Sequence, residues 1–286
     1  MKSLCHAANR WLLLLALLSP MGCKADSKGP EYVTPKRTGS PGAPFAHQLT
    51  FAESFEVRGK TPVTLFLDGL ITLETELTQD PAEFILRYRS IEVSLRRTKG
   101  SKDADAAAVD TSPPVAQRVR IGRPVSEFKD LACAALIESA LASQSADGYA
   151  SLMTALSWCT KPAIHAALIY PTLADRSLKK GERWPAELIL QAPIQDLSLT
   201  FEFKNKLDTI GADFFEFLSY SEPTATMAGR PFALDPARTA WTSRTKCRRD
   251  TGLTFERDGE FKIGFEMPGG SKEACAFSSW FKISTP

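Results

Sequence analysis

Strict alternation of apolar and polar residues constrains the fold of this chain more than any other feature of its sequence. Successive side chains of a β-strand point to opposite faces, so a period of two predicts strands with one buried face. Such strands favour an antiparallel sheet that covers a core with one side. The alternating positions form four groups: Leu65 and Leu67; Ile71, Leu73 and Thr75; Phe84, Leu86 and Tyr88; and Leu197, Leu199, Phe201 and Phe203.

Two Asp-Gly dipeptides interrupt alternating runs and predict hairpin turns. Asp68-Gly69 lies between 63–67 and 71–75, and Asp258-Gly259 lies between 253–257 and 260–267. Asp-Gly between two such runs is a strong hairpin signal, because both residues tolerate a positive φ. A further turn at 268–270 precedes a last strand over 274–283, so the chain is expected to end in a meander.

The apolar positions change phase within one run, from even numbers at Phe84–Tyr88 to odd numbers at Ile91–Leu95. This change predicts a bulge or a strand that changes sheets. The polar, alanine-rich stretch from Lys99 to Pro114 predicts a loop. A further strand is expected from Val115 to Ile121.

Two helices are predicted in the middle of the chain. The segment Ser126–Ser143 is rich in Ala and Leu, and Gly148–Thr160 places apolar residues at helical spacing before a proline. The connection over 144–147 is short, so the two helices should form an antiparallel αα-hairpin.

A second β-rich half is expected from Tyr170 onward, with strands over 186–192 and 197–203 and around Phe215 and Phe217. The segment Ser221–Thr245 has little periodicity and predicts a long excursion. The whole chain is therefore expected to be α+β, mainly antiparallel sheet, with halves over 45–169 and 170–286. An internal duplication fits the similar order of the two halves, but generic antiparallel sheets produce the same rhythm.

Residues 1–22 are typical of a secretory leader that ends at a lipid-attachment site. Lys2 and Arg10 supply a short positive region at the start of the leader, and an unbroken apolar run over 11–18 leads through small residues to Cys23. The run is shorter than the roughly 20 apolar residues of a transmembrane helix. A cysteine at this point indicates a lipobox, in which a diacylglycerol is attached to the thiol. Pro20 replaces the leucine that the pattern prefers, so plain secretion with cleavage nearby is the alternative.

Composition agrees with an exported, anchored protein. Residues 23–44 are rich in Pro, Gly, Ser, Lys and Thr, which predicts a flexible tether. The formal net charge is +2, and Lys2 and Arg10 lie in a leader without acidic residues. The remaining chain is nearly neutral, so a nucleic-acid partner is not expected. The expected location is the bacterial cell envelope, with the protein facing the periplasm or the exterior and its lipid anchor in the membrane.

Four cysteines remain beyond the leader and Cys23, and an even number in an exported chain predicts two disulfides. Cys133 lies early in the first predicted helix and Cys159 near the end of the second. An antiparallel hairpin brings these ends together, so Cys133 with Cys159 is the preferred pair, and Cys247 with Cys275 follows. Zinc is disfavoured because the spacings are wide and no CxxC occurs.

The sequence contains none of the common catalytic, phosphate-binding or dinucleotide-binding motifs. His165 lies in an apolar run and is expected to be packed and hydrogen-bonded, and His47 is the other histidine beyond the leader. Catalysis by histidine is therefore not expected, and no cofactor or metal is predicted.

Several charged and aromatic clusters have a structural interpretation. A solvated loop is favoured over a calcium site for Asp103, Asp105 and Asp110, because their spacing misses the usual loop. Two basic clusters are interpreted as solvated faces in preference to anion-binding patches. They are Lys179, Lys180 and Arg183, and Arg244, Lys246, Arg248 and Arg249. Phe214, Phe215 and Phe217 form an aromatic cluster, of which one face must belong to the core.

The stretch from Tyr170 to Trp184 resembles a phrase found in uncharacterised bacterial envelope lipoproteins. In that group a proline, a short basic stretch and Gly-(Asp/Glu)-x-Trp introduce a second β-rich half, as Pro171 and Gly181–Trp184 do here. The likeness extends over 171–222. The resemblance implies an α+β envelope lipoprotein and no reaction. Physically, Gly181 suits a tight turn and Trp184 suits a core anchor.

Three functions fit the sequence. The first is a non-catalytic module that binds or carries an apolar ligand or envelope component, with ligand-binding residues unknown. The second is a structural or protein-interaction lipoprotein that uses the 221–245 excursion as an interface. The third is a hydrolase that uses paired carboxylates in one cleft, which requires a carboxyl group of raised pKa.

The lipobox predicts that Cys23 carries the lipid. Cells that express the wild-type chain should incorporate labelled palmitate into it, and Cys23→Ser should abolish the label because the acceptor thiol is lost. Globomycin should block processing of the wild type. Cys5→Ser, within the leader, is the control that should keep the label. Labelling that survives Cys23→Ser would show that the lipoprotein interpretation is wrong.

Overall fold

The computed structural model describes residues 32–34, 44–59, 62–80, 83–97, 105–120, 152–153, 156–174, 176–191, 197–266 and 274–286. Its helix α1 spans Pro162–Ile169, and short 3₁₀ turns span Trp158–Thr160 and Pro236–Arg238. The strands are β1 Tyr32–Val33, β2 Pro44–Arg58, β3 Val63–Leu77, β4 Glu83–Arg96, β5 Asp105–Arg120, β6 Leu178–Lys179, β7 Arg183–Gln191, β8 Leu197–Ile210, β9 Phe214–Ser221, β10 Thr224–Met227, β11 Arg230–Phe232, β12 Ala240–Arg248, β13 Thr254–Glu266 and β14 Ala274–Ser284.

Twelve of these strands form one antiparallel sheet, while β1 and β6 form a separate pair. Most neighbours in the sheet are also neighbours in sequence. The exceptions are the pairings of β8 with β10, of β9 with β12 and of β14 with β2, and the last of these joins the C-terminal meander to the first long strand. Strand β8 pairs with β7 along one side and with β9 and β10 along the other. Among the described strands, β5, β7 and β11 each pair with a single neighbour and are therefore edge strands of the sheet.

The sheet curls around helix α1. This helix contacts β5, β13 and β7, which lie at one edge, in the middle and at the other edge of the sheet. Its sequence, PAIHAALI, is apolar almost all round, and such a helix is stable only where other elements surround it. Pro162 suits the first position because the N–H that it lacks has no partner inside a helix. The face of the sheet that meets α1 is the concave face.

The concave face carries the main core, as the alternation predicts. In β2 the odd-numbered residues Leu49, Phe51, Phe55 and Val57 are buried, and the even-numbered residues between them are half-exposed or exposed. A smaller apolar cluster lies next to the β1–β6 pair. It comprises Val33, Ala174, Leu178, Trp184, Leu207, Phe215, Phe217 and Cys247.

The change of phase in β4 is a bulge, which confirms that prediction. The pairing of β4 with β5 shifts between Tyr88 and Ser90. Tyr88 and Ile91 are therefore both buried, although they are three positions apart and would lie on opposite faces of a regular strand. The bulge keeps one strand on the core across the change of phase.

Both predicted Asp-Gly turns are wrong. Strand β3 continues through Asp68-Gly69, and β13 continues through Asp258-Gly259. A turn of the predicted kind needs a positive φ at glycine. The described glycines with a positive φ are Gly181, Gly229 and Gly252.

Each of the two glycines instead makes room for an aromatic ring on the neighbouring strand. Gly69 is the cross-strand partner of Phe51, and Gly259 is the partner of Phe281. A Cβ atom on Gly69 would overlap the Phe51 ring, and one on Gly259 would lie 2.7 Å from Phe281 Cζ. Phe51 and Phe281 are themselves partners, so the four residues form one row across four strands. Rings that cover glycines in this way stabilise a sheet.

Two segments predicted to be irregular are largely strands. Strand β5 begins at Asp105, inside the loop predicted for Lys99–Pro114. The strand forms because β4 supplies its hydrogen-bond partners, and this pairing cannot be inferred from the polar composition of the segment. Its two prolines lie between Asp110 and Val115, where the pairing is interrupted. The predicted excursion over 221–245 contains β10, β11 and the first part of β12.

The mainly antiparallel part of the predicted fold class is confirmed, and the α+β label is not supported. Among the described residues, helical structure is confined to α1, the two 3₁₀ turns and Leu152, Met153 and Leu156. The first helix of the predicted αα-hairpin, over 126–143, and the connection over 144–147 lie outside the described residues. The proposed halves, 45–169 and 170–286, contribute strands to the same sheet.

The glycine row predicts that Gly69→Ala lowers the free energy of unfolding by about 1–3 kcal/mol, because the new methyl group collides with the Phe51 ring. Urea unfolding of the wild type and the variant measures this loss. In a Phe51→Leu background the same substitution should cost less, because the smaller side chain leaves space for the methyl group. An equal cost in both backgrounds would contradict the role assigned to Gly69.

Candidate functional site

A helical segment lies against the concave face, and we name residues 156–170 the cover. It comprises the 3₁₀ turn at Trp158–Thr160, helix α1 and the residues on either side. Its buried residues include Trp158, Cys159, Ile164, His165, Leu168 and Ile169. Backbone polar groups buried at such a place need partners inside the protein. Charged and polar side chains of the sheet provide these partners.

Glu53, on β2, holds the start of the cover. Its Oε1 accepts a hydrogen bond of 2.6 Å from the Trp158 N–H, and the side chain is buried. Burial raises the pKa of Glu53 to about 7, although the Trp158 N–H, the Ser157 hydroxyl and Lys161 favour the charged form. Burial also lowers the pKa of Lys161 to about 8, against the attraction of Glu53. The two side chains form an oppositely charged pair at this end of the cover.

His165, in α1, connects the cover to β4. Its Nε2 lies 2.8 Å from the Trp158 carbonyl oxygen, and its Nδ1 lies 2.9 Å from the Tyr88 hydroxyl. A carbonyl only accepts, so Nε2 carries the proton and Nδ1 accepts from Tyr88. Burial lowers the pKa of His165 to about 4, which keeps the ring neutral. The predicted packed, hydrogen-bonded role of His165 is confirmed.

Tyr170 and His47 meet at Thr75 beyond the end of α1. The Tyr170 hydroxyl donates to Thr75 Oγ1 at 2.7 Å, and His47 Nε2 lies 3.1 Å from the same oxygen. Burial lowers the pKa of His47 to about 4. The Tyr170 ring also packs on Phe84, with 4.3 Å between the ring centres. These contacts fix the chain where it leaves α1.

Arg257, on β13, holds the last turn of α1. Its Nη1 donates to the carbonyls of Ala167, at 2.8 Å, and Leu168, at 3.1 Å. Its Nη2 donates to Ser243 Oγ at 3.1 Å, and the guanidinium lies 5.9 Å from the centre of the Trp241 ring. Burial lowers the pKa of Arg257 to about 10, so it remains a cation at neutral pH. A cation is favourable here because the carbonyls at a helix C-terminus carry partial negative charge.

Aromatic rings of the sheet form a floor under the start of the cover. Trp158 packs on this floor, with ring-centre distances of 4.9 Å to Trp241 and 5.1 Å to Phe281. The floor extends along β8, because Phe203 lies 4.9 Å from Trp241. We name as the aromatic floor the residues Phe201, Phe203, Trp241, Phe261 and Phe281.

A line of buried polar atoms crosses the aromatic floor. Ser221, Trp241, Phe261, Ser279 and Glu53 are successive cross-strand partners on five neighbouring strands, and we name them the polar row. Ser221 Oγ and Trp241 Nε1 of this row, and Trp158 Nε1 above it, have no hydrogen-bond partner in the described part of the chain. Ser279 Oγ and Glu53 Oε2 have no partner with full hydrogen-bond geometry there, but the Ser279 hydroxyl lies close enough to Glu53 to favour its charged form. Each such atom costs about 1–3 kcal/mol when it is buried unsatisfied.

Sequence reasoning missed Glu53 and Arg257, although a signal was present. Glu53 occupies an inward position of β2, between Phe51 and Phe55, where the alternation calls for an apolar residue. Arg257 occupies an inward position of β13 in the same way. A charged residue in the apolar phase of a strand indicates a buried partner, because an unpaired buried charge is very costly.

The register contradicts one of the two predicted disulfides. Cys247 is paired with Thr254 and Cys275 with Phe265, eleven residues apart on β13. That separation is roughly 37 Å along a strand. A disulfide needs Cα atoms within about 7 Å, so Cys247 and Cys275 cannot be joined. Cys133 and Cys23 lie outside the described residues, so the Cys133–Cys159 pair and the lipid site stay predictions.

The aromatic residues singled out in the second half have the predicted structural roles. Phe215 and Phe217 are buried, whereas Phe214 lies on the opposite face against Phe255. Trp184 donates its Nε1–H to the Thr172 carbonyl at 3.1 Å. Gly181 has a φ of 87° and forms the turn before β7.

Two members of the second predicted basic cluster are compensated by carboxylates within the protein. Arg244 and Lys246 form ion pairs with Glu216, at 3.4 Å, and Glu256, at 2.7 Å. Asp105 and Asp110 lie in β5, and Asp103 lies outside the described residues. No group of three potential metal ligands occurs within the described ranges.

The carboxylate-hydrolase interpretation gains no support from the site. Glu53 has the raised pKa that such an enzyme needs, but the charged group beside it is Lys161 and not a second carboxylate. Its Oε1 is committed to the Trp158 backbone. The geometry fits a residue that holds the cover.

The buried carboxyl group predicts a pH-dependent stability. Between about pH 4.5 and pH 7 the folded chain binds a proton at Glu53 that the unfolded chain has lost, so this group lowers the free energy of unfolding as the pH rises through that window. Glu53→Gln keeps an acceptor for the Trp158 N–H and removes this dependence. The stability of the variant relative to wild type should increase by about 2 kcal/mol from pH 5 to pH 7.5 in urea unfolding.

Glu56→Gln, on the outer face of the same strand, is the matched control for that measurement. The difference in free energy of unfolding between Glu56→Gln and wild type should be the same at pH 5 and pH 7.5. If the corresponding difference for Glu53→Gln is also the same at both pH values, the pKa assigned to Glu53 is wrong. The low pKa values of His47 and His165 affect wild type and variant equally and cancel in the difference.

Comparison with known proteins identifies distant structural neighbours. No protein-family model and no curated protein matches the chain. One neighbour is a structure concerning lipid–protein interactions in lipovitellin, which is 8% identical to this chain and has a TM-score of 0.43. The alignment covers 86% of this chain but only 25% of the lipovitellin chain. A LolA superfamily protein from Nitrosomonas europaea aligns with 10% identity and a TM-score of 0.18, over 85% of this chain and 87% of that one. A DUF1329 family protein from Desulfovibrio piger aligns with 8% identity and a TM-score of 0.15, over 83% and 85%. Likenesses at these TM-scores carry no argument about this protein's function.

Proposed function

We propose that this protein binds or carries an apolar ligand with a polar end on the concave face of its sheet. We further propose that it does so without catalysis, as a lipid-anchored protein of the bacterial cell envelope. The observation that carries the proposal is the coincidence of the aromatic floor and the polar row on one buried surface. Ligand sites of this kind are lined mainly by apolar and aromatic side chains, with a few polar groups that fix orientation.

The aromatic floor suits the apolar body of such a ligand. Its five rings come from four strands and present a continuous surface of contacts between 4.9 and 6.0 Å from centre to centre. Each aromatic side chain contributes a large apolar area, and burial of that area is favourable by about 25 cal/mol per Å².

The polar row suits the polar end of the same ligand. Trp241 Nε1 and Trp158 Nε1 are donors, and Ser221 and Ser279 can donate or accept. A carboxyl or hydroxyl group placed on this row would satisfy atoms that are otherwise costly to bury. When Glu53, at one end of the row, is ionised, its carboxylate repels an anionic ligand group placed next to it.

The cover must move for a ligand to reach the floor, and its attachments make this a local event. Polar side chains hold it near its start, at His165 and near its end, whereas Trp158 meets the aromatic floor through ring contacts. Apolar contacts are not directional, so an apolar ligand can replace those of Trp158 with the floor. Loss of the contacts of Glu53 and Arg257 would leave buried charges, so these ends should stay attached.

The proposed lipid anchor at Cys23 and tether over 23–44 would hold this site close to a membrane surface. No helix in the described part of the chain is long and apolar enough to cross a bilayer. Each CH₂ of an attached acyl chain adds about 0.8 kcal/mol of membrane affinity, so diacylation supports stable anchoring. The competing role as an interaction module loses its motivation, because the segment proposed as its interface forms strands of the sheet.

Brominated fatty acid provides a direct test, because bromine quenches tryptophan fluorescence only by contact. Two chains that begin at residue 23 each keep one tryptophan, with the others replaced by phenylalanine. One keeps Trp241 in the aromatic floor, and the other keeps Trp280, which is 44% exposed on the outer face. Dibromostearic acid should quench Trp241 saturably, and unbrominated stearic acid should reverse the quenching. Trp280 should show no saturable quenching.

Saturable quenching of Trp280 alone would place the apolar site on the wrong face and contradict the proposal. Circular dichroism of both chains checks that the phenylalanine replacements leave the fold intact. Native mass spectrometry of protein purified from its own membrane then identifies the ligand. A clean mass without ligand, together with no quenching of Trp241, would count decisively against carriage.

A further inference from the structure

A groove with four cations lies on the outer face of the sheet, opposite to the concave face. Its volume is about 580 Å³, and strands β7, β8, β9, β12 and β13 contribute to its lining. The cations are Arg183, Lys204, Lys206 and Arg244, and the single carboxylate in the lining is Asp258. The residues on either side of these cations in each strand are directed to the concave face, so the cations themselves point outward.

The register of the sheet brings three of these cations together. Arg183 on β7 and Lys206 on β8 are direct cross-strand partners. Lys204 lies two residues before Lys206 on the same face, about 7 Å along the strand. Like charges directly opposite one another destabilise a strand pair. In the described part of the chain none of these three side chains forms an ion pair.

The fourth cation is compensated within the protein. Arg244 forms an ion pair of 3.4 Å with Glu216, and its cross-strand partner on β13 is Asp258. Glu187 and Glu202 face one another in the adjoining part of β7 and β8, outside the lining of the groove. The groove therefore has one end where three cations form no ion pair within the described residues and another end that is nearly neutral.

We propose that this groove binds an anion that carries two phosphate groups, either as a soluble molecule or as the headgroup of a lipid. One phosphate group carries about −1 as a diester and about −1.5 to −2 as a monoester near neutral pH, so a single group leaves at least one of the three cations unbalanced, whereas a pair of groups balances most or all of them. The Thr242 hydroxyl in the lining adds a neutral donor. The ligand would relieve the repulsion between Arg183 and Lys206. This site shares strands with the aromatic floor but no side chain, so it is independent of the apolar site.

Isothermal titration calorimetry with inorganic pyrophosphate at low salt tests the soluble form. The double variant Lys204→Gln/Lys206→Gln should lose at least tenfold in affinity, because it removes two of the three cations that form no ion pair within the described residues. Asp258→Asn should bind pyrophosphate several-fold more tightly, because it removes the only carboxylate of the lining. Added salt should weaken wild-type binding, since exposed charges are screened.

The matched control is Arg89→Gln/Lys262→Gln, which removes the same charge from outer-face positions away from the groove. Both of these side chains form ion pairs elsewhere, with Glu74 and Glu260. This control should change the affinity for pyrophosphate less than twofold. Thermal melting of all variants confirms that the exposed substitutions leave the fold intact.

Sedimentation with vesicles tests the headgroup form, with Cys23→Ser as the background so that no acyl anchor contributes. Phosphatidylcholine vesicles that contain cardiolipin, whose headgroup holds two phosphates, are compared with phosphatidylcholine alone. The groove would be assigned to a lipid headgroup if the protein binds cardiolipin vesicles but not pyrophosphate, and if Lys204→Gln/Lys206→Gln abolishes the vesicle binding. Binding of neither probe, or equal loss in the groove variant and its control, would overturn the proposal.

Discussion

The concave face of this protein depends on the two buried charges that hold its cover. An apolar helix of eight residues is too short to persist by itself, and its ends expose backbone groups that water cannot reach here. Glu53 accepts from the backbone before α1, and Arg257 donates to the carbonyls at its end. Each charge also matches the partial charge of the backbone groups that it meets. The sheet can therefore curl around a helix whose terminal backbone groups would otherwise lack hydrogen-bond partners.

This arrangement also produces the proposed ligand site. Because the cover is attached on both sides of α1, Trp158 is positioned on the aromatic floor and the polar row lies beneath it. The floor alone would be an ordinary core. The buried polar atoms without partners among the described residues distinguish it, because a core built only for stability rarely keeps a line of them. The same residues thus contribute packing to the fold and polar contacts to a ligand.

The two faces of the sheet have separate chemistries because side chains alternate along each strand. On β12, Trp241 and Ser243 face the cover, whereas Thr242 and Arg244 line the outer groove. A substitution in one site therefore leaves the side chains of the other in place. One curved sheet can in this way present an apolar surface inward and a cationic surface outward.

Alternation alone predicted which residues of most strands face the core, because the pleat of a strand is local geometry. The change of phase in this alternation predicted the bulge in β4, and the apolar run around His165 predicted the packed role of that residue. The Asp-Gly turns could not be judged locally, because the rings that cover Gly69 and Gly259 belong to neighbouring strands. Strand β5 was hidden for a similar reason, since its pairing with β4 and not its composition makes it a strand.

The sequence by itself thus determined the strand faces, the apolar run that includes His165 and the presence of charges in apolar positions, but it did not predict helix α1. Only the tertiary structure decided what those charges do. Glu53 meets a backbone group 105 residues away, and Arg257 meets one 90 residues away. Contacts over such separations follow from strand order and curvature, which no local pattern encodes. The same reason separates Cys247 from Cys275 and brings Arg183 opposite Lys206.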